Sequence, residues 1–170
     1  YYLLHSTWGI AGMFLLADLI ARQRGRLATR LRSGPGLIEP ARLGLLFFVG
    51  AIATAGLPPF SGFIGKLGLL QAASGMHAVL LWGSLLCGSL LVILALSRAG
   101  SLLFWQQKST VNDAAAEPLT GLRYGSVLAL IGSALLLMIA AGPILEYCQA
   151  AAQQLLEPGH YLQQQNGGQP

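Results

Sequence analysis

Charge is scarce in this sequence. Only 9% of its 170 residues are Asp, Glu, Lys or Arg, against about 25% in an average soluble domain. That shortage excludes an ordinary water-soluble domain. The net charge of +4 does not point to nucleic acid, because the basic residues are bunched rather than spread. Arg22, Arg24, Arg26, Arg30 and Arg32 share one short segment, closed by Arg42, as in a cytoplasmic loop under the positive-inside rule.

Cysteine is nearly absent as well. Cys87 lies in the middle of an apolar run and Cys148 beyond the end of another, so the pair gives no disulfide framework. The two should sit at different depths, too far apart for the Cα separation of about 7 Å that a bridge tolerates. No Gly-rich phosphate loop, CxxC pair, HExxH or Ser-His-Asp pattern occurs. No nucleotide, haem, iron–sulfur cluster or metal is therefore expected, and no covalent catalysis. The chain does not begin with Met and has no signal-peptide n-region; it opens in apolar sequence and is expected to lack its true N-terminus.

What fills the chain is apolar sequence: 54% hydrophobic residues and a mean hydropathy of +0.61. Uncharged runs at 43–65, 67–97 and 124–145 each exceed the roughly 18 residues that mark a membrane-spanning helix. A fourth, 1–17, is cut by the chain start. The expected fold is an all-α integral membrane protein with about four transmembrane helices, at 1–21, 43–75, 77–105 and 123–146. A short helical extension and a disordered Gln/Gly-rich tail are expected over 148–170. Ser33-Gly34-Pro35-Gly36 reads as a loop, Glu39-Pro40 marks the start of the second helix, and 106–122 is a polar connection. The basic first loop and the connection near Arg98, Lys108 and Arg123 should be cytoplasmic, with both chain ends outside.

The second helix is the unusual one. As a straight helix, 43–75 would be about 50 Å long, against a hydrocarbon core of about 30 Å. Its middle reads Gly56-Leu57-Pro58-Pro59-Phe60-Ser61-Gly62. Tandem proline removes two N–H donors and the glycines add freedom, so two half-helices, 43–55 and 61–74, should flank unwound backbone. Such backbone survives in a membrane only when it is buried in protein or lines a wet cavity. The plain alternative is a simple proline kink.

Lys66 is the most informative residue. It lies about nine residues before the expected helix end, hence roughly 14 Å deep, where a charge costs about 2.5–3.5 kcal/mol on insertion scales. It must face a polar interior. A lysine there can load and release a proton, and its charge can repel or admit a neighbouring one; the alternatives are a structural lysine paired with an acid on a neighbouring helix and a lysine displaced toward the interface. Discontinuous helices beside ionisable groups recur at transporter ion sites. The Ser61 and Thr54 hydroxyls either hold water or bond to preceding carbonyls. His5 is either a proton-passing imidazole or interfacial, and His77 is interfacial. Asp18 and Arg22 form a helical ion pair, Glu146 is solvated, and Gly83, Ser84 and Gly88 suit close helix packing.

The string LFFVGAIATAGLPPFSGFIGKLGLL (46–70) resembles the second broken helix of the antiporter-like subunits shared by Mrp-type cation/proton antiporters and respiratory complex I. The pattern G-x-P-P-x-S-G-F-x-G-K carries the likeness. The opening YYLLHSTWGIAGMFLLADLIARQRG is similar to the preceding helix in the D-type branch of those antiporter subunits. The resemblance implies about the last third of a fourteen-helix subunit built from two inverted five-helix repeats. It maps the broken-helix lysine onto Lys66 and the preceding-helix histidine onto His5; Gly9 stands where some complex I chains carry a further lysine. The implied function is monovalent cation/proton antiport in a bacterial inner membrane, as a multi-pass subunit with other membrane subunits, lipid, protons and Na+ or K+ as partners. A proton-pumping subunit of complex I or of a membrane-bound hydrogenase is the alternative, and a structural scaffold the third.

Overall fold

A computed structural model describes residues 1–25, 30–31, 37–73, 75–105 and 120–156. Among the described residues six α-helices follow in order: α1 (Tyr2–Gln23), α2 (Pro40–Ala55), α3 (Ser61–Ala72), α4 (Met76–Gly100), α5 (Gly121–Ile139) and α6 (Ala141–Leu156). A π-helical turn, Ser101–Trp105, extends α4. No strand occurs among the described residues. Tyr2–Gln23, Ala78–Trp105 and Gly121–Ile139 are long and apolar enough to cross a membrane, and Pro40–Ala55 is a shorter apolar helix. This is an all-α membrane protein.

α1 and α5 form the centre. They run antiparallel, since Tyr1 Oη donates to the Leu137 carbonyl at 3.0 Å while Gly12 lies against Leu130 and Ile131. Gly12 allows that approach: a Cβ there would be 3.2 Å from the Ile131 side chain. α2 joins the pair where Gly50 faces both Met13 and Ile131. Leu16, Leu19, Ile20, Leu43, Leu46, Val127 and Ile131 fill the seam, so apolar side chains at helical spacing lock three helices together. α4 lies outside this trio, antiparallel to α2, with Gly100 against Phe47 and Gly44 against Phe104. Its half-buried positions among the described residues are Ala78, Leu85, Ser89, Val92, Leu96 and Ala99, which lie at the 3–4 and 7 spacing of one helical face.

Several expectations are corrected. The helix expected over 123–146 divides at Ala140 into α5 and α6. Pro143, which has no N–H for the Ile139 carbonyl, is tolerated only because it falls in the first turn of α6. The second half-helix ends at Ala72, with Ala73 extended. That leaves Lys66 six residues, or about 9 Å, from its end rather than 14 Å. Gly83, Ser84 and Gly88 do not make the α4 contact: all three are exposed, and nothing lies within 4 Å of a Cβ built on either glycine. The expected ion pair is present, with Arg22 Nε 2.8 Å from Asp18 Oδ2, and Glu146 is not buried. The Ser33–Gly36 loop, the polar connection over 106–119, the tail after 156 and the His77 side chain lie outside the described residues.

Candidate functional site

Between α2 and α3 the chain is not helical, and its sequence explains why. Gly56 takes the left-handed conformation (φ 72°, ψ 40°). Its N–H donates to the Ala53 carbonyl at 3.1 Å, and the Leu57 N–H to the Ile52 carbonyl at 3.1 Å. These are the two bonds of a Schellman cap. Pro58 and Pro59, joined by a cis peptide, have no N–H to offer. In a continuing helix they would have served the carbonyls of Thr54 and Ala55. Two acceptors are thus stranded at the negative end of α2, and Phe60, in extended conformation, leads into α3 at Ser61.

Lys66 reaches one of them. Its Nζ donates to the Ala55 carbonyl at 2.7 Å and to Ser89 Oγ on α4, also at 2.7 Å. Ser89 Oγ in turn donates to the Leu85 carbonyl at 2.7 Å, so its proton is used and its oxygen faces the ammonium with lone pairs. A helical side chain leans toward the N-terminus of its helix, which aims Lys66 back at the break. Gly56 makes the passage possible, because a Cβ there would sit 2.8 Å from Lys66 Cε. The partner is not an acid. No Asp or Glu occurs anywhere from 40 to 112.

His5 approaches the break from α1. It is only 4% exposed, and its Nδ1 is 2.8 Å from Ser61 Oγ, which is fully buried. The Ala53 carbonyl is also beside the imidazole, across the space that Gly62 leaves open. His5 therefore touches both sides of the break, the end of α2 and the start of α3. Gly62 leaves room for the ring, since its missing Cβ would overlap Nε2 and stand 3.0 Å from the Ala53 oxygen. Gly65 leaves room for Tyr2, whose ring lies 6.5 Å from that of His5. The Ser61 hydroxyl meets the imidazole, a use that its sequence context did not suggest. Thr54 Oγ1 is buried with no hydrogen-bond partner among the described residues.

Residues 1–92, which hold α1, the break, α3 and the Ser89 segment of α4, match the family model described as NADH:quinone oxidoreductase/Mrp antiporter, TM. The chain belongs to that family. It is 31% identical over 165 residues to the D subunit of the Na(+)/H(+) antiporter of Alkalihalophilus pseudofirmus, covering 96% of this chain and 33% of that protein. It is 31% identical to the D subunit of a probable K(+)/H(+) antiporter of Rhizobium meliloti, over 93% of this chain and 34% of that protein. It is also 31% identical to the N subunit of the NADH-quinone oxidoreductase of Granulibacter bethesdensis, over 81% of this chain and 29% of that protein. The chain thus spans about a third of the length of the curated relatives it matches. No solved structure matches it significantly.

Of the residues singled out by sequence, the structure gathers Lys66, His5, Gly56, Pro58, Pro59, Ser61 and Gly62 around one break. The residue missed was Ser89. Its signal was present, as a lone hydroxyl within the apolar face Leu85, Val92 and Leu96, but one serine in an apolar helix does not name its partner.

Proposed function

We propose that this chain is part of a membrane subunit of a multisubunit Na+ or K+/proton antiporter, with Lys66 as its proton-loading group and His5 as a second proton-handling group across the break. One observation carries the reading: a lysine ammonium bound to the carbonyl that Pro59 strands, in a segment without any carboxylate. A half-buried ammonium whose partners among the described residues are neutral oxygens is costly to keep charged within a bilayer, so a modest change around it moves the proton. His5, neutral or charged, can pass a proton because one ring nitrogen is engaged by a hydroxyl, itself both donor and acceptor. The unwound segment supplies backbone polarity where a continuous helix would present none. Support for antiport comes from relatives named as D subunits of Na(+)/H(+) or K(+)/H(+) antiporters, which align with 93–96% of this chain.

In this reading the subunit is multi-pass in a bacterial cell membrane, packed against other membrane subunits, with the basic loop after α1 on the cytoplasmic side. The alignment of 81% of the chain to an NADH-quinone oxidoreductase component favours a second reading, a proton-pumping subunit of that enzyme. Everted vesicles holding the full-length assembly separate the two. The antiport reading expects added Na+ or K+ to collapse a preformed pH gradient with no NADH or quinone present. Proton movement only during NADH oxidation supports the second reading instead.

A further inference from the structure

We infer that the pair of oxygens holding Lys66, the Ala55 carbonyl and Ser89 Oγ, is a binding site for a monovalent alkali cation, which Lys66 occupies with its own ammonium while protonated. The inference rests on the antiport reading and gives it a physical coupling. Both oxygens are committed acceptors. The Ala55 carbonyl has lost its helical donor to Pro59, and the Ser89 proton is spent on Leu85. Each lies 2.7 Å from Nζ, so the ammonium is itself a tethered monovalent cation in a neutral-oxygen cradle.

The chemistry of the cradle selects its ligand. Backbone carbonyl and hydroxyl oxygens without carboxylates replace the hydration shell of an alkali ion, whereas divalent cations are held by carboxylates. The helices packed around the cradle supply none: α2, α3, α4 and α5 contain no Asp or Glu, and on α1 Asp18 is paired with Arg22, 13 residues or about 20 Å along the helix from His5. Among the described residues, the titratable groups at the break beside Lys66 are His5 on α1, with Tyr2 next to it. α2 and α4 offer only Thr54 and Ser89. The C-terminal pole of α2 favours a cation at this spot, and the Thr54 hydroxyl is a buried oxygen without a partner among the described residues, one residue from the Ala55 carbonyl.

One positive charge fits at a time. When Nζ gives its proton to water it becomes a neutral amine, whose hydrogen bonds to the two oxygens are about half as strong. A Na+ or K+ ion then takes the cradle, and reprotonation of Lys66 expels it. Proton release and cation uptake are thereby linked one for one. The sign follows: cation affinity rises with pH, because the protonated lysine is the competitor.

The test is equilibrium binding of radiolabelled Na+, and of Rb+ for K+, to the purified full-length assembly across pH. Wild type is expected to bind more tightly as pH rises, and Lys66→Ala to bind with no such pH dependence. Ser89→Ala should weaken cation binding at high pH by about tenfold, the worth of one hydrogen-bonding ligand to a charge, and Ser89→Thr should restore it. Should Lys66→Ala fail to assemble, the Ser89 pair still decides the matter. Unchanged binding in Ser89→Ala, or a wild-type pH dependence in Lys66→Ala, overturns the inference; if exchange in vesicles persists alongside, the cation binds elsewhere and the antiport reading stands. Loss of both exchange and binding in wild type removes both.

Discussion

At the scale of single residues, the glycines of the break have separable duties. Gly56 needs its positive φ and also clears the Lys66 stem, while Gly62 clears His5 and the Ala53 oxygen. Gly62→Ala should displace His5 from Ser61, costing about 1–3 kcal/mol as overpacking does, and should reduce exchange severely. Gly68→Ala on the same helix meets nothing within 4 Å and should leave exchange unchanged. Measuring thermal stability and exchange for both variants checks the contrast; equal effects would mean that the close fit at Gly62 is not what matters. Much of this site was legible in the sequence because proline, glycine and a lysine within an apolar run each carry a strong physical constraint. The hydrogen bonds of Ser61 and Ser89 were not, because a hydroxyl accepts almost any partner and only the tertiary fold brings one within reach.

At the scale of elements, the break is a consequence of two missing N–H groups. Replacing Pro58 and Pro59 together with alanine gives the carbonyls of Thr54 and Ala55 their helical donors back. Ala55 then has less lone-pair capacity for Lys66. The double variant should assemble normally and exchange poorly, checked by native gel and vesicle assay; wild-type exchange would reduce the break to a kink. The division of the last apolar run at Ala140 shows the limit of hydropathy as a guide. No charged residue falls between Tyr124 and Leu145, and only the Gly142-Pro143 pair marks where one helix gives way to the next. The early end of α3 has a similar origin, since Ala72 and Ala73 differ in conformation and not in residue type.

At the scale of the whole molecule, charge distribution sets orientation. Cysteines introduced at position 30 and at position 155, with Cys87 and Cys148 replaced by serine, should label from opposite sides of the membrane, position 30 from the cytoplasm. Labelling of both from one side would refute the four-span topology. The apolar outer face of α4, with Val79, Leu80, Leu91 and Leu94 all exposed, suits lipid or further helices of a larger assembly and presents no difficulty in a bilayer.

Lys66 is the one charge on the broken helix pair beside the unwound backbone, between Leu43 and Ser97. The decisive measurement is cation-driven proton exchange by Lys66→Ala, beside Lys66→Glu, in everted vesicles of the full-length assembly across pH. Removing a charge from within the bilayer favours partitioning by up to about 2.5–3.5 kcal/mol, so insertion should survive in the alanine variant. No exchange is expected for Ala, and partial exchange with an altered pH profile for Glu, which still titrates but with the opposite charge logic. An alanine variant that assembles and exchanges at the wild-type rate would contradict proton loading at this position, leaving Lys66 a structural clamp on Ala55 and Ser89.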